Sequence, residues 1–240
     1  MNKMEKEKIV AHVFRYDPTK DEQPKYKTYE IPYEDGMTVL EVLRYINDNI
    51  EPIAFRYECR FQSCGSCGLM VNGKPVLACK TVAQKEMKIE PLPIFPVIKD
   101  LVVDTSRYYE KLKQLRPYLE RTKPPEKFPE PVVTYEVDKK YKEYVNCINC
   151  FLCQVVCPVL KKPNTKFIGP AFMTYLARFS EDPRDELDRV TIAISEGLME
   201  CTLCGECDKV CPKGRKITEV DIMRLRKIAE SKLNFSFSPS

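Results

Sequence analysis

The chain has 240 residues, of which 43% are hydrophobic, and its 39 Lys and Arg against 35 Asp and Glu give a net charge of +4. This hydrophobic content excludes a disordered chain, and the weak, evenly spread charge argues against a nucleic-acid-binding protein. No signal-peptide core and no run of about 18 apolar residues occurs, so we expect neither secretion by a signal of its own nor a membrane-spanning helix.

The first hundred residues alternate between apolar and polar side chains, as half-buried strands do. Asn72-Gly73 is a strong signal for a two-residue hairpin turn. His12, the one histidine in the sequence, falls in the first alternating segment beside Val13 and is interpreted as a surface or packing residue rather than a metal ligand. We predict strands at 8–17, 25–33, on both sides of the turn within 68–79, and at 87–92.

A helix is predicted at 38–49. Thr38 and Glu41 form a capping box at its start, because the side chain of each residue can bond the backbone N–H of the other. The apolar positions of this segment fall on one helical face: Val39, Leu40, Val42, Leu43 and Ile46. A helix crossing a mixed sheet of this size predicts a β-grasp domain over residues 1–105.

After about residue 105 the sequence changes character. Five prolines among charged residues at 117–131 indicate an extended connector. From residue 135 strand-like alternation gives way to helical segments joined by cysteine-bearing loops, which predicts an all-α domain within 106–240. The fold class is therefore α+β with two domains. The predicted helical segments are 139–150, 170–179, 189–200 and 217–232.

The second half contains one motif twice, CxxCxxCxxxCP at 147–158 and at 201–212. In two-cluster ferredoxins the first three cysteines of such a run bind one [4Fe–4S] cluster and the fourth binds the other cluster. Pro158 and Pro212 prevent a local helix from continuing past each site, since proline lacks the N–H. The spacing predicts one ligand set of Cys147, Cys150, Cys153 and Cys211, and another of Cys157, Cys201, Cys204 and Cys207.

The first half contributes a third cysteine group with the spacing of plant-type [2Fe–2S] proteins: Cys59, Cys64, Cys67 and Cys79. Gly65 and Gly68 would let the loop bend tightly and bring backbone N–H groups to the cluster sulfurs. Arg60 has two open interpretations, as a charge that offsets the cluster or as a solvated loop residue. All 12 cysteines thus fall into three groups of four.

Two other uses of these cysteines explain the pattern less well. Zinc sites commonly pair two CxxC units and give no reason for a third cysteine at the same step. Disulfide frameworks belong to small secreted chains. The sequence shows no Gly-rich phosphate loop and no pair of nucleophile and base, so we predict no catalytic residue. The chain is expected to carry electrons.

This organisation resembles the iron–sulfur subunits of the succinate dehydrogenase and fumarate reductase family. Beyond the cysteine spacing, the resemblance rests on segments without ligands, such as the residues around the hairpin. These segments are CRFQSCGSCGLMVNGKPVLACKT (59–81), FPVIKDLVVD (95–104), LRPYL (115–119), FIGPA (167–171) and RFSEDPRDE (178–186). The resemblance covers nearly the whole chain.

The resemblance implies partners and a path for electrons. A separate flavoprotein subunit would carry FAD and interconvert succinate and fumarate, with the [2Fe–2S] domain nearest the flavin. The third cluster would lie near a membrane-associated quinone site, so quinone would be an indirect partner. The expected location is the cytoplasmic side of the membrane, as a peripheral subunit.

Cys204 distinguishes this chain from common members of the family, which lack a cysteine at its position and hold a [3Fe–4S] cluster. The complete set predicts [4Fe–4S], and the alternative is [3Fe–4S] on Cys157, Cys201 and Cys207 with Cys204 free. The complete set resembles the non-classical branch, in which a cysteine-rich subunit with CCG motifs replaces the membrane anchor. The absence of tryptophan removes one usual quinone contact.

Two further functions stay open at this point. The same iron–sulfur module could serve another flavoprotein, of the thiol:fumarate or glycolate-type oxidoreductases. The chain could also be a free ferredoxin-like carrier without a fixed enzyme.

Overall fold

The computed structural model describes residues 7–124 and 144–233. It divides the chain into two compact units. The first contains the residues up to Thr105 together with Ile148–Val155, and the second contains Ser106–Cys147 and the residues from Val156 onward. No helix in the described ranges has both the length and the apolar composition that crossing a bilayer requires.

The first unit is built on a mixed five-stranded sheet with the order β2-β1-β5-β3-β4, in which β1 and β5 are parallel and the other neighbours are antiparallel. Apolar and polar residues alternate along β1, so that one face of the strand lies in the core: Ile9, Ala11 and Val13 are fully buried while the residues between them are more exposed. The strands are β1 Lys8–Arg15, β2 Lys25–Pro32, β3 Gly68–Val71, β4 Lys74–Leu77 and β5 Glu86–Glu90. All the predicted strands are confirmed.

The hairpin and the helix of this unit form as their local signals predict. Asn72 and Gly73 have φ angles of 48° and 76°, and both are positive as a type I′ turn requires. The helix α1 spans Val39–Asn49, with both bonds of the Thr38–Glu41 capping box present and its five predicted apolar residues buried. A small second sheet of β6 Val97–Lys99 and β7 Val102–Val103 was not predicted.

Helices form most of the regular structure in the described part of the second unit. The α-helices whose bounds the structure gives after the first unit's sheets are α2 Ser106–Gln114, α3 Leu152–Val156, α4 Pro170–Ser180, α5 Arg189–Ser195, α6 Glu206–Val210 and α7 Met223–Leu233, and of these α3 lies in the first unit except for Val156. Short 3₁₀ helices lie at Val159–Lys161 and Leu198–Glu200. The predicted helix at 217–232 is divided, because Ile217–Ile222 is a π-helix and only the remainder is α-helical.

Two predictions need correction. The helix expected at 139–150 does not continue through the cysteine loop: helical structure ends at Val145, and Asn149 further on has a left-handed φ of 50° that no helix contains. Its residues 139–143 lie outside the described residues, as do residues 125–131 of the predicted connector. The segment Ile148–Val155 lies in the first unit, although the sequence placed it in the second domain. One contact that joins it to the rest of this unit is between the rings of Phe151 and Phe95, which meet edge to face with their centres 5.0 Å apart.

A fully buried arginine organises part of the second unit. The Arg189 guanidinium pairs with Asp185 at 2.7 and 2.9 Å. It also donates to the carbonyl oxygens of Leu115, Arg116 and Tyr118, each at 2.7 Å. The side chains of Arg189 and Asp185 are 0% and 1% exposed. This ion pair therefore fixes the segment that follows α2 against the start of α5.

We expect Arg189→Met to lower the free energy of unfolding by about 3–5 kcal/mol, because it leaves the Asp185 carboxylate buried and unpaired. Urea unfolding of the cluster-loaded chain under anaerobic conditions measures the change. Lys209→Met, which breaks an exposed pair with Glu206, is the matched control and should have little effect. Equal effects of the two variants would contradict the role given to Arg189.

Candidate iron–sulfur sites

The first cysteine group lies around the β3–β4 hairpin. Cys67 precedes β3 and Cys79 follows β4, and the Ala78 N–H donates to the Cys67 carbonyl at 3.0 Å. The hairpin thus brings Cys79 beside the loop that contains Cys59 and Cys64. Cys67 and Cys79 are buried, while Cys59 and Cys64 are half-buried. A group held here would be shielded on one side and near the surface on the other.

Backbone N–H groups point at the sulfurs of this loop. Ser63 and Cys64 donate to Cys59 Sγ at 3.2 and 3.3 Å, and Gln62 donates to Cys79 Sγ at 3.3 Å. The loop reaches this geometry through left-handed residues, with φ near 60° at Arg60 and Gln62. Such chains of N–H groups form anion-binding concavities and occur at many iron–sulfur sites. The loop therefore fits a negatively charged cluster.

The surroundings shift the pKa values of two of these thiols in opposite directions. Hydrogen bonds from the N–H groups of Phe61, Ser63 and Cys64 lower the pKa of Cys59 to about 7. Burial raises the pKa of Cys67 to about 12. One sulfur is thus ready to be a thiolate, and the other needs bound metal charge before it loses its proton.

The two loop glycines also make room for a second segment. A Cβ on Gly65 would lie 2.2 Å from the carbonyl oxygen of Ile148, and one on Gly68 would lie 2.9 Å from that of Cys150. Gly65 also has a φ of +74°. The sequence predicted the bend but not the close approach of Ile148–Val155, which explains why this segment belongs to the first unit.

The repeated motif has a repeated backbone. In each copy the residues directly before and after the second cysteine are left-handed: Asn149 and Phe151 in the first, Leu203 and Gly205 in the second. Three of these four are not glycine, and such conformations persist where the surrounding structure imposes them. The two loops therefore share a backbone conformation as well as a cysteine spacing.

The set predicted to hold one [4Fe–4S] cluster is distributed over both units. Cys150 and Cys153 lie in the first unit and are buried, whereas Cys147 and Cys211 lie in the second and are half-buried. The assignment of these four to one cluster stays a prediction from their spacing.

The set predicted for the third cluster lines one pocket in the second unit. Cys157, Cys201, Cys204 and Cys207 all border this small pocket. Cys157 and Cys207 are buried and Cys204 is exposed. In the described residues, no three His, Cys, Asp or Glu side chains converge as ligands of a single metal ion. The four cysteines therefore share one pocket, and their assignment to a third cluster stays a prediction from their spacing.

Two polar side chains that the sequence did not single out border this set. The Thr218 hydroxyl lies 3.3 Å from Cys207 Sγ. The Arg226 guanidinium donates to the Cys201 carbonyl. Burial raises the pKa of Cys207 to about 12, so this thiol also depends on bound cations to ionise. Both residues are more than ten positions from the cysteine they contact, and no local motif marks them.

His12 and Arg60 are two further residues that the sequence singled out. His12 lies on β1, which β5 separates from the β3–β4 hairpin. Its Nδ1 is 2.9 Å from Thr28 Oγ1 and its Nε2 is 3.1 Å from Glu86 Oε1. Both ring nitrogens therefore contact side chains of neighbouring strands. Arg60 is exposed and its guanidinium lies 5.6 Å from the ring centre of Tyr57. Arg60 therefore lies at the surface of the loop, beside Tyr57.

Comparison with known families covers both halves of the chain. Residues 10–110 match the family described as "2Fe-2S iron-sulfur cluster binding domain". Residues 143–215 match the family described as "4Fe-4S dicluster domain". The first match contains Cys59, Cys64, Cys67 and Cys79, and the second contains the other eight cysteines.

Several known proteins are similar over most of the chain. The "Fumarate reductase iron-sulfur subunit" of Haemophilus influenzae is 39% identical over 85% of this chain and 86% of its own length. One subunit of the "Fumarate reductase (CoM/CoB)" of Methanothermobacter marburgensis is 40% identical over 92% of this chain, which spans 44% of that protein. A chain of the Mycobacterium smegmatis Sdh1 complex superposes with a TM-score of 0.85 and 30% identity, covering 96% of this chain and 99% of its own.

We expect Gly65→Ala to reduce the content of the [2Fe–2S] cluster, because the new methyl group would meet the Ile148 carbonyl and displace the ligand loop. The EPR signal of the reduced [2Fe–2S] cluster, quantified per chain after anaerobic purification, measures the content.

Gly73→Ala is the matched control. Gly73 has nearly the same φ, +76°, and a Cβ there would have no atom within 4 Å. This variant should bear the backbone strain alone and keep its cluster. Equal cluster loss in the two variants would show that strain, and not the contact with Ile148, is decisive.

Proposed function

Because the chain belongs to the family of fumarate reductase and succinate dehydrogenase iron–sulfur subunits, we propose that it relays electrons between the FAD of a flavoprotein subunit and a quinone-reactive partner. That partner is a membrane subunit or a cysteine-rich subunit of the CCG type. The observation that carries the proposal is the grouping of all twelve cysteines into three sets. The set from Cys59 to Cys79 lies wholly in the first unit, and the set of Cys157, Cys201, Cys204 and Cys207 lies wholly in the second. We assign no catalytic residue to this chain.

The ligands follow from these sets. Cys59, Cys64, Cys67 and Cys79 bind the [2Fe–2S] cluster, and Cys147, Cys150, Cys153 and Cys211 bind the first [4Fe–4S] cluster. When bound, such clusters exchange single electrons, which lets a two-electron flavin reaction proceed in steps. The protein contributes thiolates, directed N–H groups and partial burial, and these set where and how readily an electron is held.

The surface of the [2Fe–2S] loop supports docking of the flavoprotein at this end. Phe61, between two ligands, is 75% exposed. Tyr57 nearby stacks on Phe55 and lies under the guanidinium groups of Arg44 and Arg60. Exposed aromatic and arginine side chains are enriched at protein interfaces. A partner that covers this loop would also bring its cofactor close to the cluster.

For the third cluster we propose [4Fe–4S], bound by Cys157, Cys201, Cys204 and Cys207. Support comes from Cys204, which borders the same pocket as the other three. A cubane cluster needs a donor for its fourth iron, and Cys204 would supply it. Independently of the cluster type, we propose from the family resemblance that the protein is a peripheral part of a complex at the cytoplasmic face of the membrane.

A second function has one observation in its favour. The similarity to the Methanothermobacter marburgensis "Fumarate reductase (CoM/CoB)" chain extends over 92% of this protein. In that case the same relay would accept electrons from thiols through its partner and deliver them to fumarate. The clusters and ligands would be unchanged, and the electron donor would distinguish the two functions.

The relay is tested in the complex purified with its flavoprotein. We expect succinate to reduce both the flavin and the clusters, followed by absorbance and by low-temperature EPR. In Cys64→Ala, which lacks a [2Fe–2S] ligand, the flavin should still be reduced while the cubane clusters stay oxidised. Reduction of those clusters at the wild-type rate in this variant would contradict the proposed order. Reduction by thiols and not by succinate would favour the second function.

The third cluster is tested by Cys204→Ser. A [3Fe–4S] cluster is paramagnetic when oxidised, whereas an ordinary oxidised [4Fe–4S] cluster gives no EPR signal. We therefore expect the wild-type chain to be silent as isolated and the variant to show a new oxidised signal. A wild-type signal amounting to one spin per chain would mean that Cys204 is free and the cluster is [3Fe–4S].

A further inference from the structure

We propose that Thr218 and Arg226 act as positioning residues that raise the reduction potential of the third cluster. The inference rests on the proposed function, since it concerns the cluster bound by Cys157, Cys201, Cys204 and Cys207. Both residues lie on the segment from Ile217 to Leu233, and they contact different ligands of the same set.

Thr218 contacts a ligand sulfur directly. Its hydroxyl lies 3.3 Å from Cys207 Sγ, and its side chain also lines the pocket. A cysteine bound to iron has no proton to donate, so the hydroxyl must be the donor in the loaded protein. Hydrogen bonds to cluster sulfurs stabilise the form that carries one more electron. Thr218 is 7% exposed, so the surroundings screen this effect little.

The π-helix holds Thr218 in this position. The Thr218 N–H donates to Asp208 at 2.7 Å. One turn later Asp221, which is fully buried, accepts from the Thr174 hydroxyl at 2.6 Å and from Arg215 at 2.8 Å. These bonds tie the segment to α4 and to the loop that follows Cys211. π-Helical turns frequently occur at functional sites, and here the turn supports a ligand contact.

Arg226 acts on the other side of the set. Its Nη2 donates to the carbonyl oxygens of Leu198 and Met199 at 3.3 and 3.0 Å, and to that of Cys201. Its buried Nε has no partner among the described residues. The guanidinium therefore fixes the approach to Cys201 and places a positive charge at this loop. A positive charge near a cluster favours its reduced form.

The two groups answer a difficulty that Cys204 creates. Cluster type is one of the factors that set a reduction potential, and a [4Fe–4S] cluster on four cysteines is a different type from the [3Fe–4S] cluster of the family's common members. A low potential would leave the third cluster a poor acceptor for electrons moving toward a quinone-reactive partner. A hydrogen bond to Cys207 and a cation at the Cys201 loop both raise the potential, so that a four-cysteine site can still receive the electron.

The test is an anaerobic redox titration of the full chain with its clusters, followed by EPR. We expect Thr218→Val, which keeps the side-chain shape and removes the donor, to shift the third-cluster potential to a more negative value. Thr218→Ser keeps the hydroxyl and should restore the wild-type potential. Arg226→Gln should also shift it negatively, and Arg226→Lys, which keeps the charge, should shift it less. The potential of the [2Fe–2S] cluster should not move in any variant.

An unchanged third-cluster potential in Thr218→Val would overturn the inference, as would an equal shift of the [2Fe–2S] potential, which would indicate a general disturbance. If Thr218→Val fails to keep the third cluster, Arg226→Gln decides: a negative shift supports the inference and an unchanged potential overturns it. The iron and sulfide content of the wild-type chain distinguishes failure of the proposed cluster set from failure of this inference. A deficit overturns the proposed cluster set and the inference with it, whereas a full set with unmoved potentials overturns this inference alone.

Discussion

Bringing sulfur donors together in a protein requires backbone dipoles that make concentrated negative charge tolerable, and this constraint shapes the cysteine loops. The N–H groups of Ser63 and Cys64 at Cys59 and of Gln62 at Cys79 provide such dipoles. They can point inward because the chain adopts left-handed angles at Arg60 and Gln62, which non-glycine residues rarely do. The regular structure around the loops holds these angles in place.

The two units meet this constraint by different means. In the first, the hairpin of β3 and β4 closes Cys79 onto the loop, and glycines at 65 and 68 let a distant segment pack against the loop backbone. In the second, short helical turns separate the cysteines, and longer elements brace them, such as the π-helix and α7 with Arg226. Both arrangements combine buried sulfurs with at least one sulfur nearer the surface, so that an electron can enter or leave a shielded site.

Much of the fold could be predicted because its signals are local. Alternation placed the five main strands, Thr38 with Glu41 marked the start of α1, and Asn72-Gly73 marked the turn. Cysteine spacing indicated the candidate ligand sets, since the wrapping of a cluster is set by distances along a short loop. The cluster-binding families agree with this interpretation at the level of the two halves.

What escaped prediction depends on contacts between residues distant in sequence. Thr218 meets Cys207 through a π-helical turn that resembles an ordinary helix in its apolar pattern. Left-handed Leu203 and Phe151 have no signature in residue type. Arg189 begins a segment predicted only as a helix, and its guanidinium is buried because it bonds carbonyl oxygens more than seventy positions earlier. Tertiary structure determines each of these, and a single sequence does not encode them in any short window.

The position of Ile148–Val155 has a consequence for biogenesis. The first unit is discontinuous, since its sheet is complete by Glu90 but the strip that packs against Gly65 and Gly68 comes only with residues 148–155. A ribosome must therefore continue well past the sheet, as far as Val155, before that unit has all its parts. Until then the loop around Cys59 lacks the strip that packs against Gly65 and Gly68.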